Sequence, residues 1–314
     1  MPEVLTVTLN PAVDVSTSVA RLVPSHKLRC AHERRDAGGG GINVARVIRR
    51  LGGDAAAAFP SGGPIGALLE RLVAAEGVPA IAVAINGDTR ESFTVIEEAA
   101  AKEYRFVLPG PILQVDEWPA IVSAITDSAA RARFVVCSGS LSPGAPNDAY
   151  AVLADALRRE DMKFVLDASG AALRGALACG VYLAKPSVRE LRELVGRDLN
   201  DNAAILAAAR ELVASGQAEV VAVTMGGRGA MLVTRDHAYA AEALPIAAAS
   251  TVGAGDSFLG GMIWALAAGK ALEDAFRHAM AAGASSLMLP GTQLCHQADV
   301  LRLADEVQVR RISG

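Results

Sequence analysis

The chain has 314 residues, of which 52% are hydrophobic and 20% are charged, and its net charge at pH 7 is −4. This composition excludes a disordered chain and argues against a nucleic-acid-binding protein. No apolar stretch reads as a membrane-spanning helix of ~20 residues, and residues 1–10 lack the basic segment of a signal peptide. The four cysteines are far apart with no C-x-x-C pair, so we expect a reduced, cytoplasmic protein without a zinc ribbon.

Short apolar strands alternate with helical segments along most of the chain. The predicted strands cover residues 4–9, 133–137, 163–166, 181–184 and 219–224. The predicted helices cover 117–131, 146–159 and 202–215, with Pro146 and Asp148 in the first turn of the second helix. Such alternation is typical of βαβ units. It predicts an α/β fold with a mostly parallel central sheet and helices on both faces.

Two segments, 14–37 and 88–108, interrupt this pattern with more charged and turn residues. In the second, the apolar runs 92–96 and 104–107 flank a small polar stretch and predict a β-hairpin. We interpret both segments as one small β-layer that forms a lid, so that residues 1–314 are a single domain.

The predicted lid carries apolar residues, such as Phe93, Val95 and Phe106, on a layer too thin to bury both faces. Exposed apolar surface and open strand edges favour pairing with another chain. The sequence therefore predicts a homodimer formed through the lids.

The strongest motif is the glycine loop T-V-G-A-G-D-S-F at 251–258, which runs into a predicted helix at 258–268. A glycine loop at a helix N-terminus presents free N–H groups and the positive end of the helix dipole, which together bind anions. Asp256 could cap the helix, or it could act as a base beside a bound phosphate.

A second cluster, Gly38 to Gly41, precedes Asn43 in an amphipathic helix that ends near residues 51–53. Glycines allow close approach of a ligand and the Asn43 amide suits sugar hydroxyls, although a flexible turn is the alternative. For the third cluster, 224–230, an ordinary β-turn is the simpler explanation. No cluster has the G-x-x-x-x-G-K-[ST] pattern or a complete G-x-G-x-x-G, so neither a P-loop NTPase nor a dinucleotide site is supported.

The motifs G-G-G-G-x-N-x-A at 38–45 and V-G-A-G-D-S-F at 252–258 resemble the two signatures of the PfkB carbohydrate kinase family. Further likenesses lie at 8–14, 138–140 and 185–190, so the resemblance covers essentially the whole chain. It implies a ribokinase-like fold, a three-layer α/β/α domain with a β-sheet lid. The segments 27–30, 104–110 and 291–295 are most similar to the subgroup of minor bacterial 6-phosphofructokinase, 1-phosphofructokinase and tagatose-6-phosphate kinase.

This resemblance implies an ATP-dependent phosphotransferase with an alcohol group as acceptor. The leading interpretation is the conversion of fructose 6-phosphate to fructose 1,6-bisphosphate. The alternatives are 1-phosphofructokinase or tagatose-6-phosphate kinase activity and, from another class, a non-catalytic regulator that binds a sugar phosphate. The intact loop with its acid argues against the regulator, because a binder needs no base there.

The resemblance also assigns roles to residues. Asp256 would take the proton from the sugar hydroxyl, and the N–H groups of Gly253, Ala254 and Gly255 would stabilise the transferring phosphoryl group. The residues that would hold the sugar are Asp14, Gly39, Gly40, Gly41 and Asn43. The groups that would bind its phosphate are Lys27, Arg29, Arg90 and Arg105, with Arg29 acting across a dimer interface, and the Ser138 hydroxyl or the Gly139 N–H. A turn cap for Asp14 and a solvated face for the cations are the alternatives.

On the nucleotide side, the positions that resemble the ATP site are Lys185, Ser187, Thr224, Gly226 and Gly229. Ser187 stands where the family usually has Asn, which weakens its expected role. Glu190 would act on Mg²⁺ through water, or be an ordinary surface glutamate. Several family members bind K⁺ beside the anion loop. The matching positions are Ser250, Val252, Ser286, Leu289, Gly291 and Gln293. The expected cofactors are therefore Mg-ATP and K⁺, and the expected partners are ATP and a phosphosugar.

Overall fold

The computed structural model describes residues 2–312 and contains two β-sheets. The strands in chain order are β1 (Val4–Val7), β2 (Ala12–Val19), β3 (Ala31–Gly38), β4 (Ala55–Ser61), β5 (Ala80–Ala84), β6 (Arg90–Glu97), β7 (Lys102–Val107), β8 (Phe134–Ser138), β9 (Lys163–Asp167), β10 (Val181–Ala184), β11 (Ala218–Thr224), β12 (Ala230–Val233), β13 (Ala238–Ala241) and β14 (Val309–Arg311).

Ten α-helices lie within the described residues, together with a 3₁₀ turn at Gly226–Arg228. The helices are α1 (Gly40–Arg50), α2 (Gly63–Ala75), α3 (Glu117–Ser128), α4 (Ala149–Ala156), α5 (Gly170–Ala178), α6 (Val188–Val195), α7 (Asn202–Ala214), α8 (Ala254–Ala267), α9 (Leu272–Leu287) and α10 (Gln297–Glu306). None of these helices is long and apolar enough to cross a membrane, a finding that covers residues 2–312.

The large sheet has ten strands in the order β14-β13-β12-β11-β10-β9-β8-β1-β4-β5. Pairing is parallel from β11 through to β5 and antiparallel among β11, β12, β13 and β14. Neighbouring residues of a strand enter different cores: Val135 packs with α3 and α4, whereas Val136 packs with α1, α8 and α9. The sheet is therefore buried on both faces, and the predicted three-layer, mostly parallel α/β fold is confirmed.

The second sheet has four strands in the order β3-β2-β6-β7. Strands β6 and β7 form the predicted antiparallel hairpin, and β2 runs parallel to β6. This small separate sheet, here called the lid, confirms the β-layer predicted from segments 14–37 and 88–108.

Two sequence predictions need correction. The helix predicted at 146–159 begins only at Ala149, because the Pro146 carbonyl accepts a hydrogen bond from the Ala149 N–H in a turn before the helix. Asp148 stands just outside the helix and makes no side-chain cap. The strand predicted at 4–9 ends at Val7, where the chain turns towards the lid.

Candidate active site

A cavity of about 360 Å³ lies between the lid and the carboxyl ends of the central strands. It brings together many of the predicted site residues. Those that line it are Asp14, Gly39, Gly40, Asn43, Arg90, Arg105, Ser138, Gly139, Glu190, Val252, Gly253, Gly255 and Asp256.

The lid faces this cavity with alternate residues of three strands. Ala12 and Asp14 on β2, Arg90 and Ser92 on β6, and Arg105 and Val107 on β7 all line it. Because side chains alternate along a strand, these pairs at positions i and i+2 share one face of the sheet. The register places Asp14 beside Ser92 and Ser92 beside Val107, so the face is continuous.

The anion-binding loop ends at the N-terminus of α8, which begins at Ala254 rather than at the predicted residue 258. Gly253 caps the helix with a left-handed backbone (φ 76°), a conformation that a side chain would strain. Asp256 lies in the first turn, and its carboxylate accepts a hydrogen bond from Nδ2 of Asn43 at 2.8 Å. Within residues 2–312 this carboxylate makes no capping bond to the helix, so the helix-cap alternative has no support.

The Asp256 carboxyl is enclosed by protein, and this burial raises its pKa from 3.8 to about 6. The charge of Asp167 raises the pKa further, while the hydrogen bond from Asn43 and the charge of Lys185 lower it. A carboxyl with this pKa is ionised at neutral pH and is still basic enough to take a proton from a hydroxyl.

We expect kcat at saturating substrates to fall about tenfold per pH unit below pH ~6, because only the ionised Asp256 can accept a proton. The folded pKa of about 6 lies above the ordinary 3.8, so protonation begins well within an accessible pH range. The measurement is a kcat profile from pH 4.5 to 9. Saturating substrate is needed because the sugar phosphate has its own pKa near 6, and kcat at saturation does not report the titration of the free substrate. A profile that stays flat down to pH 5 would contradict this assignment.

Asn43 is oriented by Arg46, a residue that the sequence did not single out. Nη1 of Arg46 donates to Oδ1 of Asn43 at 3.0 Å and to the Ala37 carbonyl at 2.7 Å. Because a guanidinium only donates, the Asn43 amide must turn its oxygen to Arg46 and its N–H group to Asp256. Arg46 is itself fully buried and forms an ion pair with Glu76 at 2.8 Å.

Of the four predicted phosphate-binding cations, two line the cavity. Arg90 is half-buried and donates to the carbonyls of Leu108 at 2.6 Å and Asn10 at 2.9 Å, which ties lid strand β6 to neighbouring loops. The Arg105 side chain is exposed in the cavity and makes no hydrogen bond or ion pair with another residue among 2–312. Its donors are therefore free for a ligand.

The other two cations, Lys27 and Arg29, lie on the exposed loop between β2 and β3 and do not line the cavity of the single chain. The structure thus does not bring them to the sugar site within one copy. The contact of each with a phosphate stays a prediction, for Arg29 as a contact across a dimer interface.

A buried ion pair at the cavity was missed by sequence reasoning. Asp167, at the end of β9, accepts from Nζ of Lys185 at 3.0 Å and from Oγ of Ser138 at 3.3 Å. Burial opposes the charge of Lys185, but Asp167 and Asp256 hold its pKa above the ordinary value. The signal was available, since Asp167 directly follows a predicted strand whose carboxyl end faces the site.

The predicted phosphate contact through the Ser138 hydroxyl or the Gly139 N–H stays a prediction. The buried Ser138 hydroxyl donates to the Asp167 carboxylate at 3.3 Å, and the Gly139 N–H donates to the Asp167 carbonyl at 3.0 Å. Gly139 and the exposed Ser140 also line the cavity, and Ser140 was not predicted.

The predicted nucleotide residues cluster at the ends of β10 and β11. Ser187 and Thr224 form a bridge between these strand ends, and the 3₁₀ turn that begins at Gly226 follows. Gly229 closes this turn with its N–H on the Gly226 carbonyl. None of these predicted nucleotide residues lines the cavity, so they form a surface beside it.

Glu190 is more than a surface residue. It forms a capping box at the start of α6, in which its Oε2 accepts from the backbone N–H and the hydroxyl of Ser187, both at 2.8 Å. The serine that replaces the usual asparagine therefore holds Glu190 in place at the cavity wall.

The donor set fits a magnesium ion that arrives with the nucleotide. No group of three or more His, Cys, Asp or Glu side chains within residues 2–312 could hold a metal alone. Mg²⁺ usually keeps several waters and binds through phosphates with one or two carboxylates. Glu190 and Asp167 both line the cavity and can accept hydrogen bonds from such waters.

The two loops predicted for K⁺ lie side by side. The Ala249 N–H donates to the Leu287 carbonyl at 2.7 Å, which joins the segment before Ser250 to the end of α9. The Ser286 carbonyl already accepts from the Leu289 N–H at 3.1 Å. This contact brings the loops 250–252 and 286–293 next to each other, and K⁺ binding between them stays a prediction.

Comparisons with known proteins agree with this geometry. The chain matches the family described as pfkB family carbohydrate kinase over residues 7–299. It is 47% identical over 301 residues to the ATP-dependent 6-phosphofructokinase isozyme 2 of Mycobacterium tuberculosis, covering 96% of this chain and 88% of that protein. It is 39% identical over 304 residues to the Escherichia coli protein of the same name, covering 96% and 98%. A 1-phosphofructokinase of Xanthomonas campestris is 35% identical over 268 residues, covering 84% of each chain.

Among solved structures, phosphofructokinase-2 from Escherichia coli in complex with fructose-6-phosphate matches with a TM-score of 0.90 and 36% identity, covering 98% of this chain and 99% of that one. The same enzyme in complex with potassium and its tetrameric inhibited form each match with a TM-score of 0.91 and 38% identity, at the same coverage. The predicted resemblance is thereby confirmed: the chain belongs to the pfkB family of carbohydrate kinases, which transfer a phosphoryl group to an alcohol.

Proposed function

We propose that this protein transfers the γ-phosphoryl group of ATP to fructose 6-phosphate and forms fructose 1,6-bisphosphate. The observation that carries the proposal is the Asp256 carboxylate, which faces the cavity at the start of α8 with a raised pKa and a hydrogen bond from Asn43. The relatives named 6-phosphofructokinase support the choice of sugar phosphate.

In the proposed reaction, the sugar lies between the lid and Asp256. Asp14 accepts hydrogen bonds from its hydroxyls and Asn43 donates to them, and the backbone at Gly39 and Gly40 lines the same cavity. Gly41, which was also predicted to hold the sugar, does not line the cavity and instead lets α1 pack against β1. Arg105, Arg90 and Ser140 bind its phosphate. Burial raises the pKa of Asp14 to about 6, while the charges of Arg105 and Arg90 lower it, so Asp14 is ionised at neutral pH.

Asp256 takes the proton from the attacking hydroxyl. The N–H groups of Gly253, Ala254 and Gly255, at the positive end of α8, stabilise the charge on the phosphoryl group in transfer. Lys185, held by Asp167, lies beside this loop, since a methyl group added at Gly255 would come within 3.6 Å of its Nζ. It supplies a fixed positive charge on the nucleotide side.

Mg²⁺, when bound, neutralises phosphate charge and aligns the phosphates for transfer. Glu190 and Asp167 would hold its waters. The residues Ser187, Thr224, Gly226 and Gly229 form the surface for the rest of the nucleotide. The loops 250–252 and 286–293 would hold K⁺ through backbone carbonyls, a proposal supported by the potassium complex of the Escherichia coli relative.

One coupled assay tests the function. Purified protein with Mg-ATP is given fructose 6-phosphate, fructose 1-phosphate, tagatose 6-phosphate and free fructose in turn. We expect the highest kcat/KM with fructose 6-phosphate. Preference for another phosphosugar would move the assignment to 1-phosphofructokinase or tagatose-6-phosphate kinase, and no turnover with any of them would favour a non-catalytic binder.

We further propose that the chain forms one kinase domain and that two copies pair through their lids. Phe106 and Val107 on edge strand β7 are 51% and 59% exposed, and such apolar edges favour pairing. Phe93 and Val95, expected to be exposed as well, are half-buried, and Phe93 packs against the core under the lid.

All four cysteines are free, which supports a cytoplasmic location.

Phe106→Asp should convert the dimer to a monomer at micromolar concentration, because it places a charge in an apolar contact between lids. Light scattering measures the mass. The matched control is Val115→Asp, which changes an apolar residue that is 93% exposed outside the lid and should leave the dimer intact. A wild-type protein that is monomeric and fully active would refute the proposal.

A further inference from the structure

A hydrogen bond joins the lid to the loop that carries the anion-binding glycines. Oγ of Ser250 donates to Oε2 of Glu103 at 2.8 Å. The same Oγ accepts from the backbone N–H of Val252 at 3.2 Å. Glu103 is on lid strand β7, and Ser250 is buried with 6% exposure. The two bonds therefore form a bridge from the lid to the residue directly before Gly253.

Glu103 shares a face of the lid with residues that line the cavity. Side chains alternate along β7, so Glu103, Arg105 and Val107 point to the same side, and the latter two line the cavity. A single short strand thus presents a free cation to the sugar side and a carboxylate to the loop on the nucleotide side.

The opposite edge of the lid is also attached, but more firmly. On β3, the carboxylate of Asp36 accepts from Oγ1 of Thr292 at 2.7 Å and forms an ion pair with Arg46 of α1 at 3.6 Å, so two contacts join this edge to the rest of the protein. The Glu103 carboxylate, in contrast, has no hydrogen bond other than that from Ser250 among residues 2–312. At the β7 edge, the Glu103–Ser250 hydrogen bond is therefore the side-chain contact that joins the lid to the anion-binding loop.

We propose that Glu103 is a positioning residue that couples the two substrate sites. When the lid lies over a sugar, the Glu103–Ser250 bond fixes Ser250, and Ser250 in turn fixes the Val252 N–H beside the anion loop. Each substrate then favours the arrangement that binds the other. This inference rests on the proposed function, because it assumes a phosphosugar under the lid and a nucleotide phosphate at the loop.

The size of the coupling follows from the bond. A hydrogen bond to a charged acceptor is worth enough to shift an equilibrium by about tenfold or more, and coupling between sites in proteins is commonly 5- to 150-fold. We expect fructose 6-phosphate to bind about tenfold more tightly when a non-hydrolysable ATP analogue is present. By linkage, the analogue gains the same factor from the sugar.

The test is calorimetric titration of fructose 6-phosphate with and without the analogue. In Glu103→Ala the ratio of the two Kd values should fall close to one. Ser250→Ala should lower the ratio to the same extent, and the double variant should show no further loss of coupling. Glu103→Gln should retain most of the coupling, because its amide oxygen still accepts from the Ser250 hydroxyl. A simple loss of folding would not separate the alanine from the glutamine variant in this way.

The chain offers a matched control in Glu98→Ala. Oε1 of Glu98 accepts from Oγ of Ser18 at 2.7 Å, the same kind of bond but made wholly within the lid. This variant should keep the wild-type coupling. If Glu103→Ala keeps it as well, or if Glu98→Ala loses it equally, the proposed role of Glu103 is wrong.

Hydrogen exchange of the amides at 250–256, measured without ligands, separates this inference from the proposed function. Faster exchange in Glu103→Ala than in Glu98→Ala would support the bridge. It would do so even if the protein phosphorylated none of the sugars tested, a result that by itself would remove the proposed function. Equal exchange in the two variants would overturn the bridge whatever the enzyme does.

Discussion

Asp256→Asn should lower kcat by at least ~10²-fold, because a carboxamide cannot take the proton of the sugar hydroxyl and positioned acid–base groups contribute ~10²–10⁴-fold. The loss should appear in kcat and kcat/KM together, with little change in ATP binding. The substitution keeps the size of the side chain, and the Oδ1 of the new amide can still accept from Nδ2 of Asn43.

The same variant should melt at a temperature equal to or above that of the wild type at pH 8. In the folded protein burial raises the pKa of Asp256 from 3.8 to about 6, so the folded state holds the proton more tightly than the unfolded one. Stability from this group is therefore greatest at low pH and is lost as the pH rises through about 6. An uncharged amide avoids that loss.

A folded Asp256→Asn variant with more than about a tenth of normal turnover would mean that the base lies elsewhere.

Arg105→Ala should raise KM for fructose 6-phosphate by ~10- to 100-fold while KM for ATP stays within about twofold. Each charge-assisted bond to a phosphate is worth ~1.5–3 kcal/mol, and Arg105 has its donors free in the cavity. Since the guanidinium makes no other bond within the described residues, the folded lid should tolerate its removal. Initial rates with each substrate varied in turn measure the two KM values.

Lys102→Ala serves as the control, because it removes a positive charge from the same strand at an exposed position that does not line the cavity. Its KM values should match the wild type. Arg90→Ala is a less clean test, since Arg90 also holds the carbonyls of Leu108 and Asn10 and its loss would loosen the lid. If Arg105→Ala weakens both substrates equally, the residue supports the lid rather than the phosphate.

Sequence patterns predict the parts of this fold in which local chemistry decides the structure. The hairpin of β6 and β7 is recognisable from its β-branched and aromatic runs, and the glycine loop before α8 is recognisable from its composition. The segment 55–84 was not predicted. Its first strand, β4, begins with four alanines, which are good helix formers but become a strand because they are buried between β1 and β5 in the large sheet.

The candidate site shows the same limit. Asp256 and Asn43 were predicted from motifs that lie 213 residues apart and that the fold brings into contact. Arg46 was not predicted, because its role depends on the Asn43 amide that it orients and on its ion-pair partner Glu76, which lies at the end of α2. Sequence patterns left open whether Lys27 binds a phosphate or lies on a solvated face, since the position of a loop side chain depends on what the lid faces; in the structure it is exposed.

The lid is built from two stretches of chain that are far apart in the sequence, which has a consequence for how the protein folds. Asp14 on β2 pairs with Ser92 on β6, although β4, α2 and β5 lie between them in the sequence. Contacts between distant residues form late, because the intervening loop must first be closed. We therefore expect β1, β4 and β5 to assemble before the lid, and we expect the lid to detach first when the protein is stressed. Limited proteolysis in mild denaturant would accordingly cut within residues 20–30 and 98–101 before it reaches the nucleotide side.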